Sequence, residues 1–326
     1  MLLAGDDHAA LERAAQALAA GQLVAFPTET VYGLGARADD DVAVGRIFSL
    51  KGRPSDHPLI VHLADAAGAE SFARTLPAVA RRLIEAFWPG PLTVIVPRRA
   101  GIAAAAAGGQ DTIGLRCPSH PVARALLSAA QRLGVPGVAA PSANRFGRIS
   151  PTRARHVVDE FGDELLVLDG GDCEVGIESS IVDCSGPAPA LLRPGRIPRD
   201  RIEAIAGVPL VEPGSDSPRA SGTLEAHYAP RAKLRLMPAA TLNTALQMLG
   251  DSALKLAVYS RSVALPPGSR LTRRVMPTDA ERAAHELFAT LRELDALGLD
   301  LIWVEEPPPD AAWDGVRDRL MRAAAA

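Results

Sequence analysis

Apolar runs of about four to eight residues, each closed by Gly, Pro or Ser, recur along the chain with helical stretches between them. Few architectures accept that rhythm. "LVAF" (23–26), "PLIVHL" (58–63), "PLTVIVPR" (91–98), "TIGLRCP" (112–118), "GVAAPS" (137–142), "LLVLDGG" (165–171), "SSIVDCS" (179–185) and "ALLRPG" (190–195) read as strands. Helical spacing covers 8–20, a stretch from Asp40 to Gly52, 77–87, 120–133 and 152–161. The expectation is an α/β domain over residues 1–206. Some connections, "GGDCEVGIE" (170–178) among them, are too short for a helical crossover, so the sheet should be twisted and mixed with flanking helices.

From 207 to 230 the text changes to "GVPLVEPGSDSPRASGTLEAHYAP", whose Pro, Gly and Ser content is that of a linker. Beyond it, 231–326 alternates again: "KLRLM", a helix over 239–249, "LKLAVYS", "RLTRRVM", a helix over 278–297, "LDLIWVEE" and a last helix over 310–324. That predicts a second, smaller, Rossmann-like α/β domain. A length of 326 residues accommodates both.

Composition narrows the function classes. A net charge of −3 gives no global pull toward nucleic acid or anionic membranes, so any basic site has to be local. Cys117, Cys173 and Cys184 form neither a CxxC pair nor an even set, which argues against a disulfide framework and a zinc cluster. "MLLAGDDHAALERA" carries acids where a signal peptide needs bases, and no apolar run reaches membrane-spanning length, so a soluble cytoplasmic protein is expected.

The stretch "SLKGRPSDHPLIVHL" (49–63) places Lys51, Arg53, His57 and His62 around a turn and both ends of an apolar run, an arrangement suited to an anion. A dinucleotide fingerprint can be laid on Gly33, Gly35 and Ala38, but "LVAF" ends seven residues before the first glycine, and no Walker motif is present. What remains is a set of strand-end residues: Thr28, Thr30, Lys51, Arg53, His62, Arg116, Ser142, Asn144, Ser150, Ser179 and Arg193. Arg binds planar oxyanions in a fork and Lys acts as a point charge, so the set suits a triphosphate with a carboxylate. There is no evident nucleophile with its base. The expected chemistry is positioning and charge stabilisation. Each residue also has a plainer reading: Lys51 and Arg53 as complements to a helix C-terminus, His62 as a half-buried strand residue, Ser142 and Asn144 as turn formers, and "GGDCEVGIESS" as a hairpin.

"FPTETVYGLG", "KGRPSDHPLIVHL", "WPGPLTVIV", "GLRCPSHPVA", "APSANRFGRISPT", "DGGDCEVGIESSIVD" and "LLRPGRI", in that order, closely resemble the YrdC-like family. "HYAP" after the linker, and the ending "GVRDRLMRAA", resemble its two-domain members, which form threonylcarbamoyl-adenylate. The resemblance implies a nucleotidyltransferase that joins L-threonine, bicarbonate or CO2 and ATP, with Mg2+ on the phosphates, and releases pyrophosphate. It further implies that a separate tRNA threonylcarbamoyl transferase complex uses the product on the adenosine next to the anticodon. Residue by residue, it implies Lys51, Arg53, Ser142 and Asn144 as the catalytic set, and His57, Thr112, Ser150, Arg193 and Tyr228 as further ATP contacts. Thr30, His62, Arg116 and Ser179 would hold threonine, no protein metal ligand is implied, and 207–230 would act as a lid. The chain departs from the family pattern at His57, Phe146, Ser180, Asp318 and the linker "ASGTLEAHYAP". Two other readings stand beside this one: a carbamoyltransferase acting on another acceptor, and an RNA-binding or ribosome-associated module, against which an aromatic content of 4% weighs.

Overall fold

In a computed structural model, residues 1–249 and 255–326 are described; Leu254, first residue of the expected strand "LKLAVYS", lies outside them. The chain forms two compact units, Met1–Phe146 with Ser150–Thr223, and Gly147–Ile149 with Leu224–Ala326. The stretch 207–230 is divided between them rather than forming a body of its own.

The first unit holds ten strands: β1 (Leu2–Ala4), β2 (Val24–Phe26), β3 (Gly33–Arg37), β4 (Ile60–His62), β5 (Leu92–Pro97), β6 (Thr112–Arg116), β7 (Val138–Ala139), β8 (Leu166–Asp169), β9 (Ser180–Asp183) and β10 (Ala190–Arg193). They form one sheet in the order β1-β8-β2-β3-β7-β4-β6-β5-β9-β10. Pairings are mixed as expected: β4 with β6 and β5 with β9 run parallel, β5 with β6 and β9 with β10 antiparallel. Seven helices accompany it: α1 (His8–Ala19), α2 (Asp41–Lys51), α3 (Ala69–Phe72), α4 (Ala78–Phe87), α5 (Pro121–Arg132), α6 (Ala154–Phe161) and α7 (Arg199–Ala206).

Alternation along the strands sorts side chains to two faces. Val24, Phe26, Val138, Ala140 and Leu168 pack with α1 and α5. Their neighbours Ala25, Leu34, Ala36, Ala139 and Val167 join the larger core of α2, α4 and α6. On the first of these faces, but farther along the sheet, Ile60, Ile95 and Ile181 form a small separate cluster with Leu192 and Ala220. This is where the cleft lies.

One reading needs correction, and one strand is added. "GGDCEVGIESS" is no hairpin: it leaves β8 and enters β9, with six strands between them in the sheet order. It runs along the strand ends, where Gly171 O accepts from Tyr32 Oη (2.8 Å), and Cys173 N and Val175 N donate to Thr152 O (3.0 Å) and Glu29 O (2.7 Å). The glycines that end "FPTETVYGLG" start a strand absent from the apolar runs read as strands above, β3. Its fingerprint glycines serve packing: a Cβ on Gly35 would stand 2.7 Å from Val138 Cγ1 and 2.8 Å from Phe26 Cε1.

The second unit has a four-stranded parallel sheet of β11 (Lys233–Met237), β12 (Leu256–Ser260), β13 (Thr272–Val275) and β14 (Leu301–Glu305), in the order β11-β14-β12-β13. Its helices are α8 (Ala239–Leu249), α9 (Ala280–Ala296) and α10 (Asp314–Ala324). At the carboxyl ends of β12 and β14, Ser260 and Glu305 are buried together. Ser260 Oγ donates to Glu305 at 2.6 Å, Arg261 N and Ser262 N each at 2.9 Å, Arg261 Nη2 at 2.8 Å and Ser262 Oγ at 2.9 Å.

Candidate active site

Strand register gathers the first unit's functional side chains into a row. His62 is paired with Arg116, Thr93 with Ile181, and Ile181 with Arg193. The antiparallel register that pairs Val94 with Leu115 brings Thr93 opposite Arg116 one step on. Because strand side chains alternate, this row lies on the same face as Ile60, Gly114 and Ile95 two residues away. A cleft opens there, walled by Pro58, Ile60, Thr93, Thr112, Ile181 and the segment Arg219–Ser221.

At one end of the row, the turn after β2 wraps Arg116. Thr28 Oγ1 donates to Val31 O at 2.6 Å and lies 2.8 Å from Thr30 Oγ1, which fixes the turn. Arg116 Nη1 donates to Thr30 Oγ1 (2.9 Å) and Nε to Gly90 O (3.3 Å). Nη2 stands 2.7 Å from Glu29 Oε1, in an ion pair with both side chains buried. Beside it, His62 Nδ1 lies 3.2 Å from Ile60 O, and Phe26 meets the ring edge-on. Burial, helped by the Arg116 charge, pushes His62 down to about 3, so the imidazole is neutral at ordinary pH.

Helix α2 carries the second group. Asp40 caps its start by accepting from Val42 N and Ala43 N, and Gly52 ends it at φ 64°. Lys51, in the last turn, is buried. Its ammonium donates to Ser142 O (2.6 Å) and Asn144 O, and Phe146 N donates back to Lys51 O (2.9 Å). Burial, then the nearby Arg53 charge, lowers the Lys51 amine well below its usual value. Arg53 Nη2 donates to Pro58 O at 3.0 Å, and its guanidinium lies 5.8 Å from the centre of the Phe146 ring, which His57 also meets at 5.4 Å. Burial followed by the Arg53 charge lowers His57 as well.

The far end of the row is held by Arg193. Its Nη2 donates to Ser179 O (2.9 Å) and Ser179 Oγ (3.2 Å), and Nη1 to Ser221 O (2.7 Å), while Ser179 Oγ lies 2.8 Å from Thr93 Oγ1. Gly195 in "LRPG" lets this corner close, since a Cβ there would stand 2.4 Å from Ser180 N. Ser150 Oγ donates to the buried Glu178 carboxylate. The segment at 219–221 lies against the cleft. Arg219 N donates to Gln110 Oε1 (2.8 Å), Gln110 Nε2 to Arg219 O (3.2 Å), and Arg219 Nη1 to Asp56 Oδ2 (2.8 Å).

The structure thus brings Thr30, His62, Arg116 and Ser179 to one row, joins Lys51 with Ser142 and Asn144, and sets Arg53 beside His57. Thr112 lines the cleft, and Arg53 and Arg193 reach its walls through Pro58 O and Ser221 O. Tyr228 lies in the second unit, fully buried at φ 62°, with Phe288 and Arg319 against its ring. Sequence reasoning passed over Glu29, Glu178 and Thr93. The acids sit inside quoted motifs, yet nothing local in the text marks a carboxylate that will be buried beside Arg116 or Ser150.

A family model described as "Telomere recombination", that of the Sua5, YciO and YrdC proteins, matches residues 16–195. A second, described as the C-terminal domain of threonylcarbamoyl-AMP synthase, matches 197–325. Threonylcarbamoyl-AMP synthase of Pyrococcus abyssi is 37% identical over 93% of this chain and 90% of its own length. That of Bacillus subtilis is 37% identical over 96% of this chain and 92% of its own. A crystal structure of P. abyssi Sua5 complexed with L-threonine superposes with a TM-score of 0.87 at 35% identity, covering 96% of this chain and 94% of that one.

Proposed function

The chain belongs to the Sua5/YrdC family, and from that premise we propose that it makes threonylcarbamoyl-AMP and pyrophosphate from L-threonine, bicarbonate or CO2, and ATP. The observation that carries this reading is the row His62, Arg116, Thr93, Ile181, Arg193, with Ser179 hydrogen-bonded into it. It offers a carboxylate fork at one end and a second guanidinium at the other.

In this reading the threonine carboxylate lies on Arg116 and Thr30, with His62 and Ser179 around the rest of the molecule. The unprotonated amine of threonine adds to CO2, giving a carbamate and releasing a proton. A carbamate oxygen then attacks the α-phosphorus, the new P–O bond forms as the bond to pyrophosphate breaks, and no protein nucleophile takes part. Arg53 and Arg193 balance phosphate charge, Thr112, Ser142, Asn144, Ser150 and His57 surround the nucleotide, and Lys51 holds the Ser142–Asn144 loop through its carbonyls. Tyr228 is assigned to the nucleotide by family resemblance; Tyr228→Phe, with ATP affinity measured, tests that assignment separately. We also assign 1–206 to catalysis, 207–230 to a lid and 231–326 to a small Rossmann-like domain.

Among the described residues no group of three or more His, Cys, Asp or Glu is placed to hold a metal ion. In this reading Mg2+ arrives on ATP phosphate oxygens, and no step is routed through it. Cytoplasmic location, tRNA processing and delivery of the product to a transferase complex that modifies the adenosine beside the anticodon follow from the same reading; among the described residues no helix is long and apolar enough to cross a membrane.

Mass spectrometry of purified protein with ATP, magnesium and labelled bicarbonate tests the proposal. A labelled threonylcarbamoyl-AMP peak that requires threonine and disappears in Arg53→Ala is expected. A folded, ATP-binding protein that forms no such product would overturn it.

A further inference from the structure

Arg116 is an unusual anion site because it is already compensated. Glu29 Oε1 stands 2.7 Å from its Nη2, with the two side chains 3% and 4% exposed, so little water screens the pair. The other carboxylate oxygen of Glu29 accepts from Ser119 N at 3.2 Å, and the Glu29 main-chain O accepts from Val175 N at 2.7 Å, so side chain and backbone are each held once more. An arginine carries five N–H groups. Nε and one hydrogen of Nη1 are engaged by Gly90 O and Thr30 Oγ1, and Nη2 meets Glu29 without a well-aligned hydrogen bond. At least one N–H on each terminal nitrogen is therefore left over among the described residues, and two parallel N–H groups suit a single carboxylate.

Charge decides which carboxylate. A bare anion placed on a buried Arg–Glu pair leaves one negative charge uncompensated, which a low-dielectric site penalises. A ligand with its own positive group restores neutrality. His62 is held neutral and supplies no second cation. We propose that Glu29 is the residue that makes this site select a zwitterionic α-amino acid over simple carboxylates and phosphates, acting as a positioning and charge-matching partner of Arg116. This inference rests on the proposed function and assigns Glu29 a specificity role within it.

The test is a pair of titrations by calorimetry: L-threonine, and 3-hydroxybutyrate, which keeps the carboxylate and hydroxyl but lacks the amine. In Glu29→Gln, threonine affinity should fall about tenfold while 3-hydroxybutyrate affinity holds or rises, and ATP affinity should stay unchanged. Glu29→Asp keeps the charge and should keep the preference for threonine, so it serves as the second variant if Glu29→Gln does not fold. Equal weakening of both ligands in Glu29→Gln, or loss of the threonine preference in Glu29→Asp, would reduce Glu29 to a structural role and overturn the inference alone. A folded wild-type protein that binds no threonine would overturn the proposed function and this inference together.

Discussion

Glu305 in the second unit and Arg116 in the first both sit at the carboxyl end of a strand, both are buried, and both are charged. They differ in what remains. Glu305 receives five donors from Ser260, Arg261 and Ser262, so its oxygens are filled by the loop that follows β12. Arg116 keeps an N–H on each terminal nitrogen, in a row with His62 and Thr93. A strand-end charge in an α/β sheet is a place to look for a ligand, but only one with valence to spare can take it; Glu305 is the lock of its own loop.

Removing the two groups should separate them most clearly. Arg116→Ala strands Glu29 as a lone buried charge and deletes the fork, so threonine affinity should fall about 100-fold or more, the scale of losing a buried charged hydrogen-bond partner. Retained affinity by calorimetry would break the comparison. Glu305→Ala should instead cost about 3 kcal/mol or more of stability, because five donors lose their acceptor at once, and should leave threonine affinity as it was. Thermal unfolding and the same titration would show either.

Acid separates them in another way. Burial alone would raise the Glu305 carboxyl, but hydrogen bonds from Ser260 and Ser262 and the Arg261 charge outweigh it and hold its pKa low. Its stabilisation is present above the ordinary carboxylate range and is lost only as pH falls through the depressed value. His62 acts earlier: an unfolded histidine takes a proton near ~6.5, whereas the folded ring waits until about 3. Between those values the unfolded state binds more protons, so stability should decline with falling pH by at most ~1.4 kcal/mol per unit for this one group. His62→Gln should flatten that slope in equilibrium unfolding measured across the window; an unchanged slope would mean another group sets it.

The smallest effect is expected where the first unit's cleft meets solvent. Arg219 and Asp56 are 53% and 59% exposed, and such a pair contributes under about 1 kcal/mol. Arg219→Ala should barely move the melting temperature, and a fall of more than a few degrees would show that the segment at 219–221 matters more to the fold than its exposed ion pair implies.

Much of this was legible in the text because local chemistry and tertiary structure agree. Asp40 and Gly52 mark the ends of α2 where a capping carboxylate and a left-handed glycine are needed, and the apolar runs at 60–62 and 92–97 became strands. β3 escaped because "GLGAR" lacks the branched side chains that signal a strand; its glycines are there to let Phe26 and Val138 come close. The path of 170–179 was hidden because the length of a connection says nothing about which strands it joins. Lys51 reads as a phosphate ligand by type and position, and what the text does not show is that two of its three ammonium donors go to Ser142 O and Asn144 O. Glu29 was invisible for a plainer reason: its importance lies in what Arg116 would be without it.

A crystal structure of this chain soaked with L-threonine tests the central claim most directly. The account predicts the ligand's carboxylate within hydrogen-bonding distance of Arg116 Nη1 and Nη2, beside Thr30. A carboxylate seated instead on Arg53 or Arg193 would contradict it.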